Sequence, residues 1–146
     1  MKFTFTAHIN VPPQKAFALF INKNNLKEWQ QELTSYETLS GQAGEVGAVT
    51  QLNYKTVTII ETILAINAPY EMKGRYEHKA GKKTVMVHNT SHRFRPVGEN
   101  ETVFELEMQE VQFIGWLPKL MSKLMGSMFE KYHQKEVDHF KAFAEK

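Results

Sequence analysis

The first eleven residues alternate between apolar and polar side chains. Phe3, Phe5, Ala7, Ile9 and Val11 fall on one face of an extended chain, while threonine, histidine and asparagine side chains fall on the other. A period of two is typical of a strand with one face buried. The pattern therefore predicts a half-buried β-strand over residues 2–11.

The pattern changes to a helical period directly after this strand. Two prolines at 12–13 end the strand, and proline is well tolerated in the first turn of a helix, where its missing N–H has no partner. Apolar side chains then recur at helical spacing, at Ala16, Phe17, Phe20 and Ile21. A second short helix is predicted next, capped by Asn24 or Asn25, with Leu26 and Trp29 facing inward.

A series of β-strands is predicted for the middle of the chain. Alternating or β-branched segments are separated there by short turn sequences that contain glycine, asparagine or proline. Six strands are predicted, over residues 33–40, 46–54, 57–66, 70–78, 83–95 and 102–113. Because short loops join consecutive strands, we expect the strands to be antiparallel neighbours.

The chain ends in one long predicted helix. Pro118 disfavours a helical conformation at the residue before it, so the helix should begin near residues 117–118 and continue to about Ala144. A kink is expected at Gly126, because glycine is the weakest helix former in this stretch. The predicted apolar stripe consists of Leu117, Leu120, Met121, Leu124, Met128, Tyr132, Val137, Phe140 and Ala144.

These elements predict an α+β fold with a curved seven-stranded antiparallel sheet. Seven strands form a sheet roughly 30 Å wide. A single helix, about 10 Å across, cannot cover a flat sheet of that width. The sheet should therefore wrap around the long C-terminal helix, with the two short helices after strand 1 closing one edge. An apolar gap should remain between sheet and helix, and such gaps are common ligand sites.

Four segments carry a resemblance to a known superfamily. They are a strand-to-helix opening at Ile9–Phe17, a short helix with a tryptophan at Asn25–Trp29, a glycine-containing hairpin at Gly41–Ala48 and the helix end at Phe140–Phe143. With them the chain resembles the START-like (SRPBCC, Bet v 1-like) superfamily, most closely its bacterial polyketide cyclase/dehydrase-like members. The resemblance implies one helix-grip domain over residues 1–146. It leaves function open, because the superfamily includes lipid carriers, cyclases, hydroxylase domains and co-chaperone-activating domains.

Composition narrows the classes of function. The chain has no cysteine, which excludes thiol nucleophiles, disulfides and cysteine-ligated metals. A net charge of +2 with few arginines argues against a nucleic-acid interface. Apolar runs are too short to span a bilayer, and the N-terminus lacks a signal-peptide core, so we expect a cytoplasmic protein without stable membrane insertion. No cofactor or metal is expected, because no nucleotide-binding or metal-binding spacing occurs.

Eight side chains are predicted to line the gap between sheet and helix. They are Trp29, Met72, Tyr76, Met86, His88, Met108, Met121 and Met125. Methionine adapts to irregular shapes, so its abundance here suits a site for small apolar ligands. Ordinary core packing is the alternative role for the methionines and for Trp29.

Two residues are weak candidates for acid–base chemistry. His88 lies on the face of its strand that should point inward, and Glu110 shares the inner face of the last strand with Phe104. A buried carboxyl group has a raised pKa and can act as a general acid or base. The alternatives are a hydrogen-bonded histidine in the cavity wall and a carboxylate in a salt bridge. On the opposite face, Glu105 and Glu107 are expected to be exposed.

Three functions are compatible with this pattern. The leading hypothesis is binding of a small hydrophobic molecule, lipid- or polyketide-like, in a cavity on the order of a few hundred Å3. The alternative is a cyclase-, dehydratase- or hydrolase-type enzyme that uses the same cavity, which requires titratable groups to converge there. The third is a protein-interaction module like the co-chaperone activators, which resemble the chain at Gly115–Trp116 and would require an exposed apolar patch.

Trp116, Lys119 and Lys123 are also a combination found at membrane surfaces, although a solvated helix face is the simpler interpretation.

Overall fold

The computed structural model describes residues 2–146, which form one seven-stranded antiparallel sheet and four α-helices. The elements in chain order are β1 (Phe3–Ile9), α1 (Pro13–Ile21), a 3-10 turn (Lys23–Asn25), α2 (Leu26–Trp29), β2 (Leu33–Ser40), β3 (Val49–Tyr54), β4 (Thr58–Asn67), β5 (Glu71–Ala80), β6 (Lys83–Gly98), β7 (Glu101–Phe113), α3 (Trp116–Leu124) and α4 (Gly126–Ala144). The spatial order of the strands is β1-β7-β6-β5-β4-β3-β2. None of the helices in this part of the chain is both long and apolar enough to cross a membrane.

The predicted alternation of β1 is confirmed by its burial. Phe5, Ala7 and Ile9 point into the core, while the side chains between them are exposed. The strand pairs with β7, and Phe5 lies opposite Leu106. This pairing places the N-terminal strand at one edge of the sheet, beside the strand that leads into the C-terminal helices.

The two short helices after β1 also form as predicted, with one difference in capping. Helix α2 buries Leu26 and Trp29. The capping side chain is Asn22, whose Oδ1 accepts a hydrogen bond from the backbone N–H of Asn24 at 3.0 Å. Asn25 instead donates from Nδ2 to the backbone carbonyl of Leu19 in α1, and α2 has no side-chain cap of its own.

An aromatic cluster joins three helices to the sheet. Phe20 of α1 lies at its centre, with five ring centroids between 4.7 and 5.7 Å from its own. These rings belong to Trp29, His92, Phe94, Phe104 and Phe140. Aromatic pairs at these distances combine large buried area with favourable edge contacts. The cluster thus holds α1, α2 and α4 against β6 and β7.

The C-terminal helix is interrupted at the position where a kink is predicted, but the interruption divides it into two helices instead of bending one continuous helix. The chain leaves the helical conformation at Met125 (φ −119°, ψ 22°), directly before Gly126. Helix α4 buries His133, Val137 and Phe140, whereas α3 buries no side chain. The predicted stripe is therefore exposed over α3 and the first turns of α4, and it is buried only from Val137 onward. The exposed residues of the stripe are Leu117, Leu120, Met121, Leu124, Met128 and Tyr132.

The outer face of β7 is covered by an ion-pair network. Arg93 donates from Nη1 to Glu105 at 2.8 Å and from Nε to Glu71 at 3.0 Å. Lys2 lies 3.5 Å from Glu107. Glu105 and Glu107 point away from the core as predicted, but only 19% and 12% of their side chains is exposed, because neighbouring charged side chains lie over them.

The division of the C-terminal segment leads to a test of stability. Phe140→Ala should lower the free energy of unfolding by about 3–5 kcal/mol, because the ring is fully buried and leaves a cavity. Leu124→Ala should change it by less than about 0.5 kcal/mol, because that side chain is 73% exposed. Urea unfolding of both variants measures the difference. Equal losses in the two variants would contradict the division.

Candidate functional site

A cavity of about 80 Å3 lies between the concave face of the sheet and helices α1, α2 and α4. It is smaller than expected, because the rings of Phe20, Trp29 and Phe104 occupy much of the gap between helix and sheet. Aliphatic and thioether side chains complete its apolar wall. They are Ile21, Leu26, Leu52, Ile59, Met72, Leu106, Met108 and Val137.

Five of the eight predicted lining residues are in the wall of this cavity. They are Trp29, Met72, Tyr76, His88 and Met108. Met86 is buried in the core but does not line the cavity. Met121 and Met125 lie in a separate surface groove between α3, α4 and the sheet edge, because α3 is not packed over the cavity. For these three residues the predicted position is wrong.

One row of cross-strand neighbours brings polar groups to the cavity. Glu61 of β4 lies opposite Tyr76 of β5, and Tyr76 lies opposite His88 of β6. Side chains at paired positions share a face of the sheet, so these three lie side by side. The Tyr76 hydroxyl donates to Glu61 Oε2 at 2.8 Å. Its ring stacks on the His88 imidazole with centroids 5.2 Å apart.

Glu61 also forms a buried ion pair with Lys23 of the 3-10 turn. Lys23 Nζ donates to Glu61 Oε1, while the other carboxylate oxygen accepts from Tyr76. A buried charge is costly unless it is paired and hydrogen-bonded, and here both carboxylate oxygens have donors. Burial first, and then the negative charge of Glu61, raise the pKa of Tyr76 well above its usual value. The hydroxyl therefore keeps its proton at neutral pH.

Lys23 and Glu61 were missed by the sequence analysis. The sequence pattern could have indicated Glu61, because this charged residue lies between Ile59 and Ile63 on the inward-facing side of a strand rich in β-branched residues. No sequence pattern could have indicated Lys23, because a lysine in a polar turn is usually exposed and its contact is with a carboxylate 38 residues away. Their pairing depends on how the turn packs over the sheet.

Gly74 provides the space that the Tyr76 ring occupies. A Cβ atom at position 74 would lie 2.8 Å from Tyr76 Cε2 and 2.9 Å from its hydroxyl oxygen. Both distances are shorter than van der Waals contact, so any side chain there would displace the ring. The hydrogen bond from Tyr76 to Glu61 therefore depends on the glycine.

His88 has a hydrogen-bond partner at each ring nitrogen. Nδ1 lies 2.6 Å from Thr90 Oγ1, and Nε2 lies 2.9 Å from His78 Nε2. Burial, followed by the neighbouring His78, lowers the pKa of His88 to about 2. Burial likewise lowers the pKa values of His78 and His92 to about 4. All three rings are neutral at pH 7, and each offers one N–H donor and one acceptor nitrogen.

Two residues that line the cavity each have a buried nitrogen atom without a hydrogen-bond partner among the described residues. The two atoms are Trp29 Nε1 and His133 Nδ1. The distance from His133 Nδ1 to Glu136 Oε1 is 3.9 Å, too long for a hydrogen bond. An indole nitrogen can only donate, so Trp29 is suited to an acceptor atom on a molecule in the cavity. Within residues 2–146, no three histidine or carboxylate side chains are grouped to hold a metal ion.

Glu110, the second catalytic candidate, lies outside the cavity. Strand β7 contains a bulge, since Asn89 lies opposite Gln109 whereas Val87 lies opposite Gln112. Glu110 has a left-handed backbone conformation in this bulge (φ 53°). The extra residue shifts the alternation, so Val111 takes the inward position. Glu110 is exposed and accepts a hydrogen bond from Asn89, and the prediction that it points inward is wrong.

The neutral histidines lead to a pH prediction. Their folded pKa values of about 4 and about 2 lie below the value near 6.5 of an unfolded chain. The unfolded state therefore binds more protons, and stability is lost as the pH falls below about 6.5 toward the folded values. The urea midpoint should become lower as the pH is decreased from about 7 to about 4.5. His88→Gln should make this decrease of the midpoint with pH smaller. Leu39→Gln, at an exposed position without a titratable side chain, is the control and should leave the pH dependence unchanged. A wild-type midpoint that does not fall with pH would contradict the prediction.

Comparison with known proteins gives a match over almost the whole chain. Residues 1–145 match the family model described as polyketide cyclase/dehydrase and lipid transport. No curated protein matches the sequence significantly.

Several solved structures have the same fold. A conserved protein from Geobacillus kaustophilus superposes with a TM-score of 0.82 at 8% identity, over 99% of this chain and 95% of that one. The Zhui aromatase/cyclase from Streptomyces sp. R1128 has a TM-score of 0.76 at 12% identity, over 99% and 93% of the two chains. Ara h 8.0201 has a TM-score of 0.67 at 15% identity, over 99% and 97%. At these identities the likeness concerns the fold, and it confirms the Bet v 1-like helix-grip architecture. Because the family model covers nearly every residue, the chain belongs to the polyketide cyclase/dehydrase and lipid transport family.

Proposed function

We propose that the protein binds a small, largely apolar molecule with at least one hydrogen-bonding group in the cavity between sheet and α4. The observation that carries this proposal is the indole N–H of Trp29, a residue of the cavity wall, which has no hydrogen-bond partner among the described residues. Burial of the apolar part of a ligand supplies the binding free energy, while a few polar groups set its orientation. Membership of a family that includes lipid transport supports this type of function.

The cavity volume restricts the size of the ligand. An apolar cavity of about 150 Å3 accepts a benzene-sized molecule, whereas the cavity here has about 80 Å3. Met72 and Met108 line it and are unbranched, so they can change rotamer to enlarge it. A compact ring compound thus fits with small side-chain movements, while a long acyl chain requires a larger rearrangement.

An enzyme of the cyclase, dehydratase or hydrolase type is the second candidate. It is favoured by the convergence of titratable groups, namely the Lys23–Glu61–Tyr76 arrangement and the His78–His88 pair. A general base is most effective when its pKa is near the working pH. The pKa of His88 is lowered to about 2, which makes its imidazole a weak base. We therefore assign these groups first to ligand recognition.

The first test is native mass spectrometry of protein purified from the organism that encodes it. A co-purifying small molecule is expected on the wild type. Met108→Trp should lose it, because the indole fills the cavity, with a destabilisation of about 1–3 kcal/mol from overpacking. Met121→Trp is the matched control and should retain the molecule, since position 121 lies in the surface groove. Equal retention by both variants would exclude the cavity as the binding site.

The second test separates binding from dehydration. If the protein only binds its ligand, His88→Gln and Tyr76→Phe should carry a molecule of the same mass as the wild type, at lower occupancy. A dehydratase would instead leave the precursor on the variants, heavier by one water than the wild-type molecule. Mass spectrometry of the extracted ligands distinguishes the two outcomes. A difference of one water would overturn the binding-only proposal in favour of the enzyme.

A further inference from the structure

Helix α3 and the start of α4 expose an apolar face that the core does not use. Trp116 is 77% exposed and Leu124 is 73% exposed, and no side chain of α3 is buried. Other exposed apolar residues lie on the same helices and just before α3. They are Ile114, Leu117, Leu120, Met121 and Met128. Exposed apolar patches of this extent are typical of contact surfaces.

All charged side chains in the segment that contains α3 are basic. Residues 111–129 contain two lysines, Lys119 and Lys123, and no acidic residue. Both lysines are exposed, and their spacing of four residues places them along one line of the helix. The nearest acidic side chains in the sequence are Glu110 and Glu130, which border the segment.

The sheet brings more lysines to the same end of the molecule. Phe113 pairs with Met86, and the N–H of Ile114 donates to the carbonyl of Val85 at 2.9 Å. The start of α3 therefore lies beside the β5–β6 hairpin, whose tip exposes Lys82 and Lys83. The opposite end of the sheet has the β6–β7 turn, which contains acidic residues at 99 and 101. Basic charge and apolar exposure thus coincide at one end.

We propose that this end, consisting of the apolar face of α3 with Trp116, Leu120 and Leu124 and the surrounding lysines 82, 83, 119 and 123, docks on the surface of an anionic phospholipid bilayer. An amphipathic helix with tryptophan and leucine on one face and lysine beside it can embed its apolar face about 5–10 Å into the interface. Tryptophan is favoured at that depth, and lysine is attracted to anionic headgroups.

A second copy of the chain is a poorer occupant of this surface. A two-fold dimer places the same patch on both subunits. Lysines that surround the patch would then face their own counterparts, and like charges across an interface are unfavourable. An anionic bilayer instead complements both the apolar face and its basic surroundings.

The test is flotation with vesicles of phosphatidylcholine alone and of phosphatidylcholine mixed with phosphatidylserine. The protein should float only with the mixed vesicles. Trp116 emission should shift to shorter wavelength on binding, because this side chain is exposed in the free protein whereas the other tryptophan, Trp29, is already buried. Lys119→Gln combined with Lys123→Gln should weaken binding by about 25-fold, as each lysine near an anionic surface contributes about fivefold.

Matched variants test whether binding to vesicles depends on the patch or on exposed apolar and basic residues anywhere on the surface. Leu120→Ser with Leu124→Ser should abolish flotation without lowering the urea midpoint, since both side chains are exposed. Leu64→Ser and Lys73→Gln, at exposed positions elsewhere on the sheet, should bind as the wild type does. Absence of flotation, or equal flotation with both kinds of vesicle, would overturn the proposal. A dimer in sedimentation velocity that disappears in the leucine variant would assign the patch to a second copy instead.

Discussion

The packing of Phe20 against the concave face of the sheet is the interaction on which most of the structure depends. Its ring contacts Trp29, Phe94, Phe104 and Phe140, so one side chain connects α1, α2, α4 and two strands. A seven-stranded sheet is too wide for one helix to cover, and this cluster fills the part that α4 leaves open. The space that remains beyond the cluster is the cavity, which explains both its position and its small volume.

Next to the aromatic cluster the wall of the cavity becomes polar. Lys23 is hydrogen-bonded to Glu61, and the neutral His78 to His88. In each pair the partner is another protein side chain rather than water. Removal of one partner from such a pair leaves an uncompensated buried charge or polar atom, which is more costly than the pair is stabilising. The polar row is thus a rigid part of the wall that can orient a ligand, and Trp29 Nε1 and His133 Nδ1 add hydrogen-bonding groups that have no partner among the described residues.

The molecule therefore presents two apolar surfaces of different kinds. The inner one is small, partly polar and shaped by side chains from five strands and three helices. The outer one is formed by α3 and the start of α4, with lysines beside it. In the sequence, the helical residues of the outer surface and Val137 of the inner one belong to the same predicted stripe of the C-terminal segment. The exposed part covers α3 and the first turns of α4, and the residues of α4 that pack in the core begin at His133.

Local pattern was sufficient to predict the strands, the two short helices, the inward faces of β1 and β7 up to Met108, and the helix-grip architecture. These features follow from periodicity, which the chain carries within each element. Long-range contacts were not predictable in this way. The pairing of Lys23 with Glu61, the bulge that turns Glu110 outward and the exposure of α3 each depend on how distant segments meet. A helix shows the same amphipathic pattern whether its apolar face packs on a sheet or faces solvent, and only the tertiary structure decides between the two.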